Sequence, residues 1–95
     1  MDQARAFHTF RGYSLQDARR KNSLSASMED YLEMIYRLSA EDNYTRVLEL
    51  ANALNVQPPS ASRMLRRLAD EGLVEYEKYS IIRLTPQGGQ IGAYL

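Results

Sequence analysis

Three arginines stand close together in the second half of the chain, at Arg63, Arg66 and Arg67, and Ser60 and Ser62 lie just before them. Guanidinium groups bind phosphate oxygens and guanine edges, and short hydroxyl side chains fit against base edges in a major groove. Residues of these types at this spacing are typical of a helix face that binds double-stranded DNA. A solvated helix face is the competing interpretation, because arginines on exposed helices are common.

The predicted helix that carries these side chains spans residues 59–71, after an opening at Pro58. Proline costs little in the first turn of a helix, and Gly72 is placed to end it. Ala61 and Leu65 belong to its apolar face, and most of the polar residues fall opposite. We expect four residues to contact base edges, namely Pro59, Ser60, Ser62 and Arg63. Arg66, Arg67 and Arg46 are expected at phosphates, and Pro58 is a further candidate DNA contact.

A second helix precedes this one, and the pair has the spacing of a helix-turn-helix. Thr45 is the predicted cap of the second helix, and Ala51 allows another helix to approach closely. Asn55 tolerates the left-handed conformation that a sharp turn between the helices requires. This pairing favours DNA binding over the interpretation of a merely solvated arginine face.

After Gly72 the pattern changes from helical to β. Residues 73–79 are rich in β-forming types, and residues 82–84 can form the return strand. Such a hairpin directly after a recognition helix is a wing, which can place Lys78, Tyr79 or Arg83 at a DNA backbone or minor groove. A hairpin that only covers the core is the alternative.

The first predicted helix begins at Ser27 and carries two carboxylates on one face, Asp30 and Glu33. Carboxylate oxygens three residues apart suit hard divalent cations. By spacing alone a structural interpretation leads: Asp30 serves the helix cap, and Glu33 pairs with Arg37 four residues later.

Bulk composition narrows the function classes. The chain has 95 residues, twelve basic and twelve acidic side chains, and no cysteine. Zinc fingers and cysteine nucleophiles are therefore excluded, and the lone His8 leaves no basis for a catalytic triad. No apolar stretch approaches the ~20 residues that a membrane span needs. We expect a cytoplasmic, non-enzymatic protein with residues 1–26 as an extension and residues 27–95 as one domain.

Four blocks of the sequence carry a resemblance to a known family: residues 27–36, 56–64, 76–79 and 84–88. In them the chain resembles the N-terminal half of the diphtheria toxin repressor family and is most similar to its manganese transport regulator branch. The resemblance implies a mainly α (α+β) winged helix-turn-helix with three helices, a two-stranded β-wing and the start of a C-terminal helix.

The same resemblance implies a metal-dependent transcriptional repressor that binds operator DNA as a homodimer. It assigns Asp30 and Glu33 as ligands for Mn²⁺ or Fe²⁺. The family's remaining ligands, which include histidines, lie in a dimerisation domain beyond the equivalent of Leu95, so these two carboxylates alone would hold a metal weakly.

Two alternatives stay open. One is a metal-independent winged-helix regulator of the multiple-antibiotic-resistance type, which answers small molecules. The other is a winged helix that binds an acidic protein through its arginine face, which the neutral net charge allows.

Overall fold

A computed structural model describes residues 24–77 and 81–95. The elements, in chain order, are helix α1 (Ala26–Leu38), strand β1 (Thr45–Arg46), helix α2 (Val47–Leu54), helix α3 (Pro58–Asp70), strand β2 (Val74–Tyr76), strand β3 (Ile81–Leu84) and helix α4 (Pro86–Tyr94). This is the predicted winged helix-turn-helix. The predicted hairpin is β2 and β3, and the predicted C-terminal helix is α4.

One apolar core holds the helices against the sheet. On α1, side chains at helical spacing are buried: Met28, Tyr31, Leu32 and Ile35. Burial raises the pKa of the Tyr31 phenol above its ordinary value, because the charged form would lose its solvation. The rest of the core comes from α2, α3, the sheet and α4, with fully buried side chains such as Leu50, Leu65, Leu68, Ile82 and Ile91.

Two predicted helix caps are wrong. Ser25, not Ser27, caps α1: its hydroxyl accepts from the backbone N–H of Met28 at 3.2 Å. Thr45 is buried in β1 instead of capping α2, and its hydroxyl donates to Glu49 Oε1 at 2.8 Å. In both places a serine or threonine close to a helix start satisfied the sequence pattern, but the backbone enters the helix at a different residue.

The turn between α2 and α3 follows the prediction. Asn55 adopts the left-handed conformation with φ 58°, and the N–H of Val56 donates to the carbonyl of Ala51 at 3.0 Å. This closes α2 with a left-handed cap and redirects the chain into Pro58. Gly72, with φ 77°, ends α3 in the same way, with the Leu73 N–H donating to the Leu68 carbonyl at 2.9 Å.

The sheet has one more strand than the predicted two-stranded wing. Its order is β1-β3-β2, and both pairings are antiparallel. Thr45 pairs with Ile82 in the first, and Tyr76 pairs with Ile82 in the second. The short strand β1 thus ties the entrance of the helix-turn-helix to the root of the wing.

Several predictions lie outside the described residues. They are the extension up to residue 23 and the wing-tip contacts at Lys78 and Tyr79. Among the residues that are described, no helix is long and apolar enough to cross a membrane.

Candidate nucleic-acid interface

Helix α3 turns its arginines away from the core. Its inner face is buried through Ala61, Leu65 and Leu68. Its other side leaves a polar row exposed or half-buried, made of Pro59, Ser60, Ser62, Arg63, Arg66 and Arg67. We call this row the α3 outer face. A helix with one fully buried face and cations on the other presents those cations to any polyanion that approaches.

Near the start of the helix, Arg63 bends back toward Ser60. Its Nη2 donates to Ser60 Oγ at 3.3 Å, and both side chains belong to the first two turns of α3. The contact holds the guanidinium over the N-terminal part of the helix. In helix-turn-helix proteins that part of the recognition helix is the one that meets base edges.

Ser62 has a partner outside its own helix. Its Oγ lies 3.2 Å from the phenolic oxygen of Tyr76, the last residue of β2, and either hydroxyl can donate. Both residues are half-buried. The hydrogen bond therefore joins the α3 outer face to the root of the wing.

Arg66 and Arg67 are exposed in the second half of the helix. Arg67 lies in the last turn of α3, where a positive charge is favourable beside the unpaired carbonyl groups of the helix end. These two side chains extend the positive charge of the α3 outer face beyond its first two turns.

Arg46 adds a cation from a neighbouring element. It is the N-cap residue of α2 and is exposed. Its guanidinium carbon lies 5.5 Å from the centre of the Tyr44 ring, a distance at which the ring face attracts a cation. Tyr44 therefore restricts where Arg46 can reach.

The carboxylates of α1 show a simpler arrangement. Asp30 is exposed, and Glu33 Oε2 accepts from Arg37 Nη2 at 2.9 Å. The side chains of Arg37 and Glu33 are 64% and 34% exposed, so this is a surface ion pair and not a buried one. Across residues 24–77 and 81–95 no group of three or more histidine, cysteine or carboxylate side chains is placed to hold a metal ion.

The carboxylate pair fits part of a metal site. Its oxygens are the donors that Mn²⁺ accepts, and residues three apart lie on one helix face. Two such donors do not fill the coordination sphere of a hard divalent cation, which takes six or more ligands.

Sequence reasoning missed Tyr44 and Tyr76. Alternate residues of an extended segment share a face, so the spacing of Tyr44 and Arg46 was a usable signal. Nothing local reveals the contact between Ser62 and Tyr76, because it joins residues fourteen apart that meet only when the hairpin folds onto α3.

Comparisons with known proteins add a family. The family model described as iron dependent repressor, N-terminal DNA binding domain, matches residues 23–82. The HTH-type transcriptional regulator MntR of Lysinibacillus sphaericus (strain C3-41) is 45% identical over 69 residues, which are 73% of this chain and 50% of that protein. The proteins of the same name from Geobacillus kaustophilus (strain HTA426) and Bacillus pumilus (strain SAFR-032) are each 46% identical over 69 residues, which are 73% of this chain. These 69 residues are 49% of the first protein and 48% of the second. The chain spans about half the length of the curated relatives it matches.

Proposed function

The chain belongs to the family of iron dependent repressors, and we propose that it represses transcription by binding operator DNA under the control of a divalent metal. The observation that carries the DNA-binding part is the α3 outer face, whose arginines are exposed on the second helix of a helix-turn-helix. The proposal places the protein in the compartment that holds the DNA, which is the cytoplasm in a bacterium.

The roles divide along α3. Pro59, Ser60, Ser62 and Arg63 lie near the start of the helix and are proposed to read base edges. Pro58, which opens the helix, is a further proposed DNA contact. Arg66 and Arg67, together with Arg46 at the start of α2, are proposed to bind phosphates. On the wing, Lys78 and Tyr79 remain proposed backbone contacts.

A homodimer is part of the proposal. One recognition helix reads one half-site, and two-fold dimers of helix-turn-helix proteins read two half-sites about one helical turn apart. A chain that binds as a dimer should therefore select a palindromic sequence.

Asp30 and Glu33 are the proposed residues for Mn²⁺ or Fe²⁺, with further ligands needed from elsewhere in the assembled repressor. A divalent cation bound there would supply positive charge on the surface of α1. Glu33 can serve as a ligand only if its carboxylate releases the Arg37 guanidinium or binds the guanidinium and the metal at the same time.

The family match argues against the two alternatives. A metal-independent regulator of the multiple-antibiotic-resistance type and a protein-binding winged helix both share this architecture, but the matching family model is that of a repressor's DNA-binding domain. The relatives named above are transcriptional regulators, which agrees with the expectation of a non-enzymatic protein.

Selection from a pool of random duplexes, in buffer with MnCl₂ and with the chain in a repressor that supplies the remaining metal ligands, tests the proposal. We expect one palindromic motif to be enriched, and its affinity to fall when the metal is removed with a chelator. Enrichment of no motif contradicts specific DNA binding, and a motif bound equally with and without metal contradicts metal control.

A further inference from the structure

The hydrogen bond between Ser62 and Tyr76 connects two surfaces that DNA would touch at once. Ser62 belongs to the α3 outer face, and Tyr76 ends β2, the first strand of the wing. Their oxygens lie 3.2 Å apart, and both side chains are half-buried, so one edge of each faces protein and another faces solvent.

The donor strength of the two hydroxyls favours one direction for this bond. Each can donate once and accept twice, and a phenolic hydroxyl is the stronger hydrogen-bond donor of the two groups. When Tyr76 donates, the Ser62 oxygen accepts and the Ser62 proton stays available. That proton then points away from Tyr76.

The position of Ser62 on the helix sets what this proton can meet. Pro59, Ser62, Arg63 and Arg66 fall on one side of α3, and Arg63 and Arg66 are exposed there. A serine proton on that side can bond to an acceptor at a base edge, such as purine N7, guanine O6 or thymine O4. A hydroxyl that rotates freely would have to be ordered on binding, which weakens its contribution to discrimination.

We infer that Tyr76 is a positioning residue for sequence readout: its hydroxyl fixes the Ser62 hydroxyl so that Ser62 donates to one base acceptor in the major groove. This role rests on the proposed function and adds a residue of the wing strand to the readout made by the recognition helix. Tyr76 itself need not touch the base.

The test uses the 95-residue chain. A consensus duplex is first selected from a random pool with the wild type in MnCl₂. Binding of that duplex, of its single-base-pair variants and of a random duplex is then measured for Tyr76→Phe, for Ser62→Ala and for the double variant. Tyr94→Phe, on an exposed tyrosine of α4, is the matched control for loss of a phenolic hydroxyl.

We expect Tyr76→Phe and Ser62→Ala each to reduce the preference for the consensus duplex over one single-base-pair variant by about threefold to tenfold, which is the effect of one hydrogen bond. The affected base pair should be the same for both substitutions. The double variant should lose no more than the larger single effect, because the two side chains act as one unit. Affinity for random duplex and its salt dependence should not change, and Tyr94→Phe should behave as the wild type.

Three results would overturn the inference while leaving the proposed function intact. They are an unchanged preference in Tyr76→Phe, additive losses in the double variant, and an equal loss on consensus and random duplex, which would indicate a wing that is merely loosened. A wild-type chain that selects no sequence would overturn the proposed function, and this inference with it.

Discussion

At the scale of single residues, Arg63 and Arg67 lie four positions apart on the same side of one helix, yet their surroundings differ. Arg63 is held toward the start of α3 by Ser60, at 3.3 Å. Arg67 lies in the last turn and is exposed. The first position suits a base edge and the second a phosphate, which carries no sequence information.

Replacing each arginine by alanine separates these roles. We expect Arg63→Ala to reduce the preference for consensus over random duplex, by up to the roughly 1–3 kcal/mol of a bidentate base contact. Arg67→Ala should weaken binding to both duplexes equally and reduce the slope of log affinity against log salt concentration by about one unit. Fluorescence anisotropy at several salt concentrations measures both, and equal loss on the two duplexes with Arg63→Ala would contradict the assignment.

Arg37 offers a second prediction at this scale. Its guanidinium Nη2 lies 2.9 Å from Glu33 Oε2, so it competes with any cation that binds the Glu33 carboxylate. Arg37→Ala should therefore tighten Mn²⁺ binding severalfold at most, because an exposed ion pair contributes only about 0–1 kcal/mol. Titration calorimetry checks this with Arg66→Ala, which removes the same charge from α3, as the control. Equal Mn²⁺ affinity of the wild type and Arg37→Ala would show that this ion pair does not restrain the metal site.

Residue identities were enough to predict that the arginines of α3 point outward, since helical spacing alone separates them from Ala61 and Leu65. Hydrogen-bond partners were less predictable. The ion pair of Glu33 and Arg37 follows from local spacing, but the contact of Ser62 with Tyr76 depends on how the hairpin packs against α3.

At the scale of elements, the helix-turn-helix was predictable because its turns need particular residues. Asn55 and Gly72 both adopt positive φ, and few other residue types do so at low cost. Strand β1 was not predictable from pattern, because two residues have no period. It is defined only by its pairing with β3, in which Thr45 lies opposite Ile82 and Arg46 opposite Ile81.

The junction of α4 with the sheet gives a stability prediction with a built-in control. A Cβ added at Gly88 would overlap the Leu73 carbonyl oxygen, which the Thr85 N–H already holds at 3.1 Å. Gly88→Ala should destabilise the fold by about 1–3 kcal/mol or more, as overpacking does. Gly89→Ala meets nothing within 4 Å and should stabilise α4 by about 0.5–1 kcal/mol.

Urea denaturation of the wild type and the two variants measures both effects. The two substitutions are expected to change the free energy of unfolding in opposite directions, although the glycines are neighbours in one helix. Equal stability of Gly88→Ala and the wild type would contradict the close packing of α4 on the chain at Leu73.

At the scale of the whole molecule, net charge says little and its distribution says more. Acidic and basic residues cancel over the full sequence, yet α3 and the start of α2 expose four arginines. The proposed binding to DNA therefore depends on where these arginines lie and not on the net charge of the molecule. The fold class followed from the order of periodic segments, whereas metal control depends on ligands that the described residues do not complete.

Titration of a random duplex at low salt, with the triple variant Arg63→Ala, Arg66→Ala, Arg67→Ala beside the wild type, tests the exposed arginine face most directly. Arg37→Ala, on α1, is the single-charge control. We expect the wild type and Arg37→Ala to bind with a log affinity that falls linearly with log salt concentration. The triple variant should lose most of that binding and much of the slope. Undiminished binding by the triple variant, or no binding by the wild type at low salt, would contradict a DNA surface on α3.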